Sequence, residues 1–272
     1  MDGRSPAALA ARAVGVARGA AALAGWRLRP RGASVLTYHD VTDDPGNPTE
    51  QVSPDSFRSQ LATAVRLGIR FVPLSELTER VLRGVPVDQL GAVTFDDALA
   101  GVHRHAVEIL RDLGLSATVF VVSDRIGVAA PEWYPGSDRV MTADELREVA
   151  DAGLDIQSHT RTHADLPGLG GRELDRELAG ARLTLGDLLG RDVEYLAYPF
   201  GHYDAHVRAA VRDAGYRAAF TFRNGRITPG LDPFRLPRLP MWTDGSALRL
   251  AYNLARPPRS FPETQLAAVT SG

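Results

Sequence analysis

Apolar and polar positions along this chain follow a repeating cadence: a helix-like stretch ends in glycine, and a run rich in β-branched and aromatic residues follows at once. Val65-Arg66-Leu67-Gly68 leads into Ile69–Leu74, and Arg111-Asp112-Leu113-Gly114 into Leu115–Val122. Asp151-Ala152-Gly153 leads into Leu154–Gln157, and Asp213-Ala214-Gly215 into Tyr216–Phe222. Glycine supplies the left-handed residue that ends a helix, and the run beyond it suits a strand. Helix starts fit the same frame. Ser53-Pro54 offers a capping hydroxyl followed by proline at the first helical position, and Thr142 with Glu145 makes a capping-box pattern.

Val35–Tyr38, Ile69–Leu74, Ala92–Phe95, Ala117–Val122, Leu154–Gln157, Glu194–Ala197 and Ala218–Phe222 are the strand candidates. Strands alternating with helices imply a parallel α/β sheet, closed as a barrel or open and doubly wound, and spacing alone does not separate the two.

At 272 residues and 44% hydrophobic the chain is long enough to bury a full core as one domain. The expected division is an Ala/Arg-rich extension over 1–32, a catalytic domain over 33–250 and a Pro-containing tail over 251–272. Arg12 and Arg18 interrupt the apolar N-terminal segment. It therefore lacks the roughly 7–15 apolar residues of a signal peptide and the about 20 of a spanning helix. A helix lying on the domain or a frayed end is expected there, with weak contact to a membrane surface as the lesser alternative. A cytoplasmic or membrane-peripheral location follows as the expectation. With 31 basic residues, all Arg, against 33 acidic ones, the net charge is −2 and no basic stripe forms, which argues against a nucleic-acid partner. The absence of cysteine excludes disulfides and thiolate metal sites, so any metal must take His and carboxylate ligands.

Two polar clusters close two of the strand candidates: Asp96-Asp97 after Phe95, and His159 with His163 after Ser158. Taken singly, an Asp pair ordinarily caps a helix and a His-x-x-x-His ordinarily lies on a helix surface. Taken together, they stand where the strands of a parallel α/β fold deliver their site residues. Two imidazoles and a carboxylate suffice to hold one divalent ion. One of Asp96 and Asp97, leaving the strand on opposite sides, can face that ion while the other faces a water.

Thr94-Phe95-Asp96-Asp97, His159-Thr160-Arg161-Thr162-His163-Ala164-Asp165-Leu166 and Tyr198-Pro199-Phe200-Gly201 together resemble the polysaccharide deacetylases, the nodulation-type deacetylase domain of carbohydrate esterase family 4. The resemblance covers roughly Ser34 to Met241. It is closest to members acting on poly-N-acetylglucosamine, which share a Tyr-His near the start and the Ala-Tyr-Pro-Phe/Tyr-Gly segment. It implies a distorted (β/α)7 barrel and removal of N-acetyl groups from an amino-sugar glycan or glycoconjugate. By the same similarity Asp97, His159 and His163 bind a divalent metal, with zinc the first choice and cobalt, manganese or nickel as alternatives. Asp96 is then the base, and the Phe200 backbone N–H in the Tyr198, Pro199, Phe200, Gly201 segment stabilises the oxyanion.

The chain departs from the family in three places. No late Leu-x-His supplies a general acid, so His39, with Asp40 beside it, is the expected acid and His202 the second candidate. Ala197 stands where many relatives carry an arginine that orients the catalytic aspartate, and Arg238 is the expected substitute. The Asp-Trp motif is not recognisable, leaving Trp242 as a possible sugar-stacking wall. Two other readings stand beside the deacetylase: an amide or imide hydrolase of small molecules on the same fold, and a non-catalytic carbohydrate-binding domain, which has no use for a spare base.

Overall fold

The computed structural model of the chain describes residues 31–47, 49–131, 134, 137–242 and 247–255. The expected extension over 1–32 and tail over 251–272 lie outside the described residues apart from Arg31, Gly32 and Ala251–Ala255.

Seven parallel strands close a ring in sequence order: β1 (Ser34–Tyr38), β2 (Leu90–Phe95), β3 (Thr118–Val121), β4 (Asp155–Ser158), β5 (Tyr195–Ala197), β6 (Ala218–Asn224) and β7 (Leu236–Pro240). β1 pairs along its whole length with β2, from Ser34↔Gly91 to Tyr38↔Phe95, and on its other edge with β7 at Leu36↔Leu239 and Thr37↔Pro240. The sheet is thus a barrel, the (β/α)7 architecture expected from the resemblance.

One strand candidate is corrected. Ile69–Leu74 yields only the two-residue strand Arg70–Phe71, paired with Leu90 and Gly91 outside the ring. The seventh stave is Leu236–Pro240, whose Pro237 and Pro240 disguise it, because proline cannot donate to a ladder. A register shift against β6 between Leu236 and Arg238 accommodates Pro237.

Helices wrap the ring: α1 (Pro54–Arg66) and α2 (Leu74–Leu82) follow β1, and α3 (Val107–Leu113), entered through a π-helical turn at Val102–Ala106, follows β2. α4 (Ala143–Asp151) follows β3. α5 (Gly171–Asp175) and α6 (Ala181–Leu189), joined by a second π-helical turn at Arg176–Gly180, follow β4. α7 (Ala205–Asp213) follows β5, and α8 (Ala247–Ala255) follows β7. β6 reaches β7 through a short 3₁₀ turn, Pro233–Arg235, in place of an α-helix. The local signals operate as read: Ser53 accepts from the Ser56 N–H ahead of Pro54, and Thr142 with Glu145 forms a capping box. Gly68, Gly114, Gly153 and Gly215 all have positive φ.

The core has two parts. Val35, Ala92, Phe120, Tyr195, Phe220 and Leu236 fill the barrel interior, where Leu74, Leu77 and Val81 of α2 join them. A larger shell, including Phe57, Leu61, Leu110, Leu146, Ile156, Leu185 and Val207, packs between strands and helices. Burial of each such side chain contributes about 1.5–3 kcal/mol. Above this apolar layer the interior turns polar toward the carboxyl ends of the strands, with Thr37, Thr94 and Arg238 all buried. No helix among the described residues is long and apolar enough to cross a membrane.

Candidate active site

The carboxyl rim assembles residues remote in sequence. His39 follows β1, Asp96 and Asp97 follow β2, His159 follows β4, and the Tyr198–Gly201 turn follows β5. A cavity of about 280 Å³ is lined by His39, Glu50, Asp96, Asp97, Tyr134, His159, His163, Tyr198, Phe200, Gly201 and Phe222.

Asp97 Oδ1 stands 3.7 Å from His159 Nε2 and 3.7 Å from His163 Nε2, and the three donor groups lie within 4.8 Å of one another. A tetrahedral ion with ligand bonds of about 2.0–2.2 Å spaces its ligands roughly 3.3–3.6 Å apart, so this donor set fits one divalent metal after small adjustments. His159 Nδ1 donates to the Ala197 carbonyl at 2.8 Å, which fixes the tautomer and leaves Nε2 bare toward the other donors. Burial first, and then the neighbouring His159, pull the His163 imidazole down to about 4, so it is neutral near pH 7. Burial pushes the Asp97 carboxyl up, but the surrounding histidines and the Tyr134 hydroxyl outweigh it and hold Asp97 below the ordinary range. Tyr134 donates to Asp97 Oδ2 at 2.5 Å.

Asp96 keeps the strand alternation: its N–H still donates to the Tyr38 carbonyl at 2.9 Å, and its side chain follows Ala92 and Thr94 inward. β2 ends at Phe95, and Asp97 and Ala98 take left-handed conformations with φ of 64° and 53°. Asp97 therefore leaves the strand direction, while Asp96 stays inside the barrel, where Arg238 Nη1 and Nη2 each donate to one of its oxygens at 2.7 Å. Burial opposes ionisation of Asp96, yet the Arg238 charge and hydrogen bonds, with His159 and His39, hold its carboxyl far below the usual range. Arg238 thus lies beside the aspartate, fully buried and outside the cavity lining, so it reaches the site through Asp96 and does not face a substrate.

His39 differs from expectation in its partner. Asp40 turns away, accepting from the Val41 N–H at 2.9 Å and from the Ser137 hydroxyl, because adjacent extended residues face opposite sides. Glu50 Oε2 instead lies 2.8 Å from His39 Nδ1. Burial pulls His39 down, but the hydrogen bond and charge of Glu50, reinforced by Asp96 and Asp97, push it up to about 9.

Other expected residues fall at the margin. Phe200 is 52% exposed at the mouth, with its ring 4.7 Å from that of His163 and its backbone left-handed at φ 57°. Pro199 sets the bend behind it without lining the cavity. His202 Nδ1 faces Asp165 Oδ1 at 3.1 Å, outside the lining. Trp242 is likewise outside it: the Arg249 guanidinium covers its ring at 3.9 Å, and its carbonyl accepts from Gln60. Glu50, Tyr134 and Phe222 complete the cavity and were not singled out from sequence. Glu50 and Tyr134 sit in Pro-, Gly- and Asp-rich loops without periodicity, and Phe222 read only as the end of a strand.

Comparison with known proteins bears on the fold and the family. The polysaccharide deacetylase family model matches residues 85–219. The poly-β-1,6-N-acetyl-D-glucosamine N-deacetylase of Staphylococcus epidermidis is 24% identical over 197 residues, spanning 69% of this chain and 67% of that protein. Among solved structures, IcaB from Ammonifex degensii superposes with a TM-score of 0.72 at 26% identity, covering 85% of this chain and 100% of that one. The Streptococcus pyogenes deacetylase PplD, solved with acetate, shares the fold with a TM-score of 0.72 at 22% identity, covering 83% and 99%.

Proposed function

The chain belongs to the polysaccharide deacetylase family and is a hydrolase of carbon–nitrogen bonds other than peptide bonds, and on that premise we propose that it removes N-acetyl groups from a β-1,6-linked N-acetylglucosamine polymer with one divalent metal, zinc first among the candidates. The observation that carries the reading is the meeting of Asp97, His159 and His163 beside an unligated Asp96 in one cavity. The likeness to IcaB and to the Staphylococcus epidermidis enzyme supports the choice of glycan.

In this reading Asp97, His159 and His163 hold the metal. When bound, it acts as a Lewis acid on the acetamide carbonyl and acidifies water beside it. Asp96, kept ionised and fixed by Arg238, accepts the proton of the attacking water. The Phe200 N–H, in the turn set by Pro199 and Gly201, faces the oxygen on which negative charge develops. His39, charged near pH 7 through Glu50, donates to the departing amine nitrogen, so that the products are acetate and a free amino sugar. At about 280 Å³ the cavity is slightly smaller than the roughly 300–1,000 Å³ that encloses a drug-sized ligand. It suits an acetamide with its own sugar, while the rest of a polymer lies across the mouth, where Phe200 is exposed.

The test is acetate release from β-1,6-linked N-acetylglucosamine oligomers by protein loaded with Zn²⁺, Co²⁺ or Mn²⁺. Asp96→Asn should keep its metal and lose about 10²–10⁴-fold in turnover. Equal rates for the variant and the wild type, with metal bound in both, would remove Asp96 from the chemistry. Release from β-1,4-linked oligomers alone would remove the proposed glycan.

A further inference from the structure

Among the described residues, Glu177 is a buried carboxylate with no contact to the cavity. It is 7% exposed, lies on the π-helical turn Arg176–Gly180, and is absent from the cavity lining. Its oxygens are spent on the His159–His163 loop. Oε2 accepts from the N–H groups of Arg161 at 3.1 Å and Thr162 at 2.9 Å, and Oε1 from the Thr162 hydroxyl at 2.7 Å.

The loop needs such an anchor. Thr160 and His163 both have φ of 68°, a conformation that costs roughly 1–3 kcal/mol per non-glycine residue and is hardest for a β-branched one. Ser158 Oγ binds the Thr160 N–H and Thr160 Oγ1 binds the His163 N–H, both at 3.2 Å, which pins the two ends of the loop. In the middle, the backbone N–H groups of Arg161 and Thr162 both donate to Glu177, while the Arg161 guanidinium and carbonyl are held separately by Asp124 at 2.8 and 2.9 Å. Single π-helical turns inside helices recur at functional sites, and this one carries the Glu177 carboxylate that accepts from the two consecutive N–H groups.

We infer that Glu177 is a positioning residue for the metal site: by clamping Arg161 and Thr162 it holds the strained loop that presents His163 Nε2 to Asp97 and His159. The inference rests on the metal reading given above.

Zinc affinity measured by competition with a chromophoric chelator tests it, together with the rise in Tm on zinc addition. Glu177→Leu should weaken zinc binding about 10–100-fold, the range typical of lost outer-shell partners, and shrink the zinc-induced rise in Tm. Glu177→Gln keeps one oxygen for both N–H groups and turns its amide toward the Thr162 hydroxyl, which can accept. It should bind within about threefold of wild type. Should Glu177→Leu not fold, Thr162→Val, which removes only the hydroxyl bond, should still weaken binding measurably. A merely structural role predicts a lower metal-free Tm with unchanged zinc affinity and an unchanged rise in Tm, and that result overturns the inference. Failure of the wild-type protein to bind zinc, cobalt or manganese overturns the metal reading itself, and the inference with it.

Discussion

Arg238 lies fully buried within the barrel and grips both oxygens of Asp96 at 2.7 Å, although 142 residues separate the two in sequence. Its Nε also donates to the Thr221 carbonyl at 3.0 Å, so the guanidinium is fixed by strand backbone as well as by charge. A planar fork of this kind holds one carboxylate plane, which a lysine cannot reproduce.

Removing the arginine should therefore be costly. Arg238→Met leaves a buried carboxylate uncompensated and is expected to lose about 3–5 kcal/mol in urea unfolding at pH 7. Adding Asp96→Asn should recover a large part of that loss, and additive losses would show the pair to be uncoupled. The folded carboxyl is depressed, so its contribution is present above the unfolded value of about 3.9 and is lost as pH falls below it. Arg238→Met should abolish this part of the acid dependence.

His39 is expected to titrate near 9 in the metal-free protein, read from its ring proton signals. Because the folded value is raised, its stabilisation is complete below the unfolded value of about 6.5 and is lost as pH rises through about 9. Glu50→Gln should lower the midpoint, since the Glu50 hydrogen bond and charge are the leading upward influences. A wild-type midpoint below 6.5 would rule out the Glu50 partnership.

His163 carries the opposite sign. Its imidazole is depressed to about 4, so the metal-free protein should lose stability as pH falls from about 6.5 through 4, where only the unfolded chain is protonated. His163→Asn should flatten that window in urea titrations. In the same reading chelator lowers the Tm of the loaded protein, and Asp97→Asn loses metal affinity while Asp96→Asn retains it.

Gly201 is the glycine that the cavity cannot replace. Its φ is 72°, and a Cβ there would stand 2.5 Å from the Phe222 nitrogen. Gly201→Ala should cost about 1–3 kcal/mol and shift the adjacent Phe200 N–H. Acetate-release kinetics should show this mainly in kcat; a change confined to KM would place Phe200 outside transition-state stabilisation.

Local patterns were legible in the sequence because they rest on short-range physics. The Ser53 and Thr142 caps, the helix-ending glycines and six of the seven barrel strands each depend on neighbours a few residues away. β7 was hidden because Pro237 and Pro240 argue against a strand, and only ring closure with β1 makes Leu236–Pro240 one. The donors Asp97, His159 and His163 were readable through their motifs and strand ends. Glu50 and Tyr134 were not, since nothing in an aperiodic loop announces which residue folds back over a site. The same limit misassigned the neighbour of His39: Asp40 is adjacent in sequence, but the turn of the backbone gives that place to Glu50.

The order in which the staves occur along the chain has a consequence for biosynthesis. Asp96, His159 and His163 leave the ribosome well before Arg238, which arrives on the last stave. Until that stave docks between β1 and β6, Asp96 lacks the guanidinium that grips both of its oxygens. Sealing the cylinder and supplying that partner are therefore one event, because the stave that closes the ring between β1 and β6 is the one that carries Arg238.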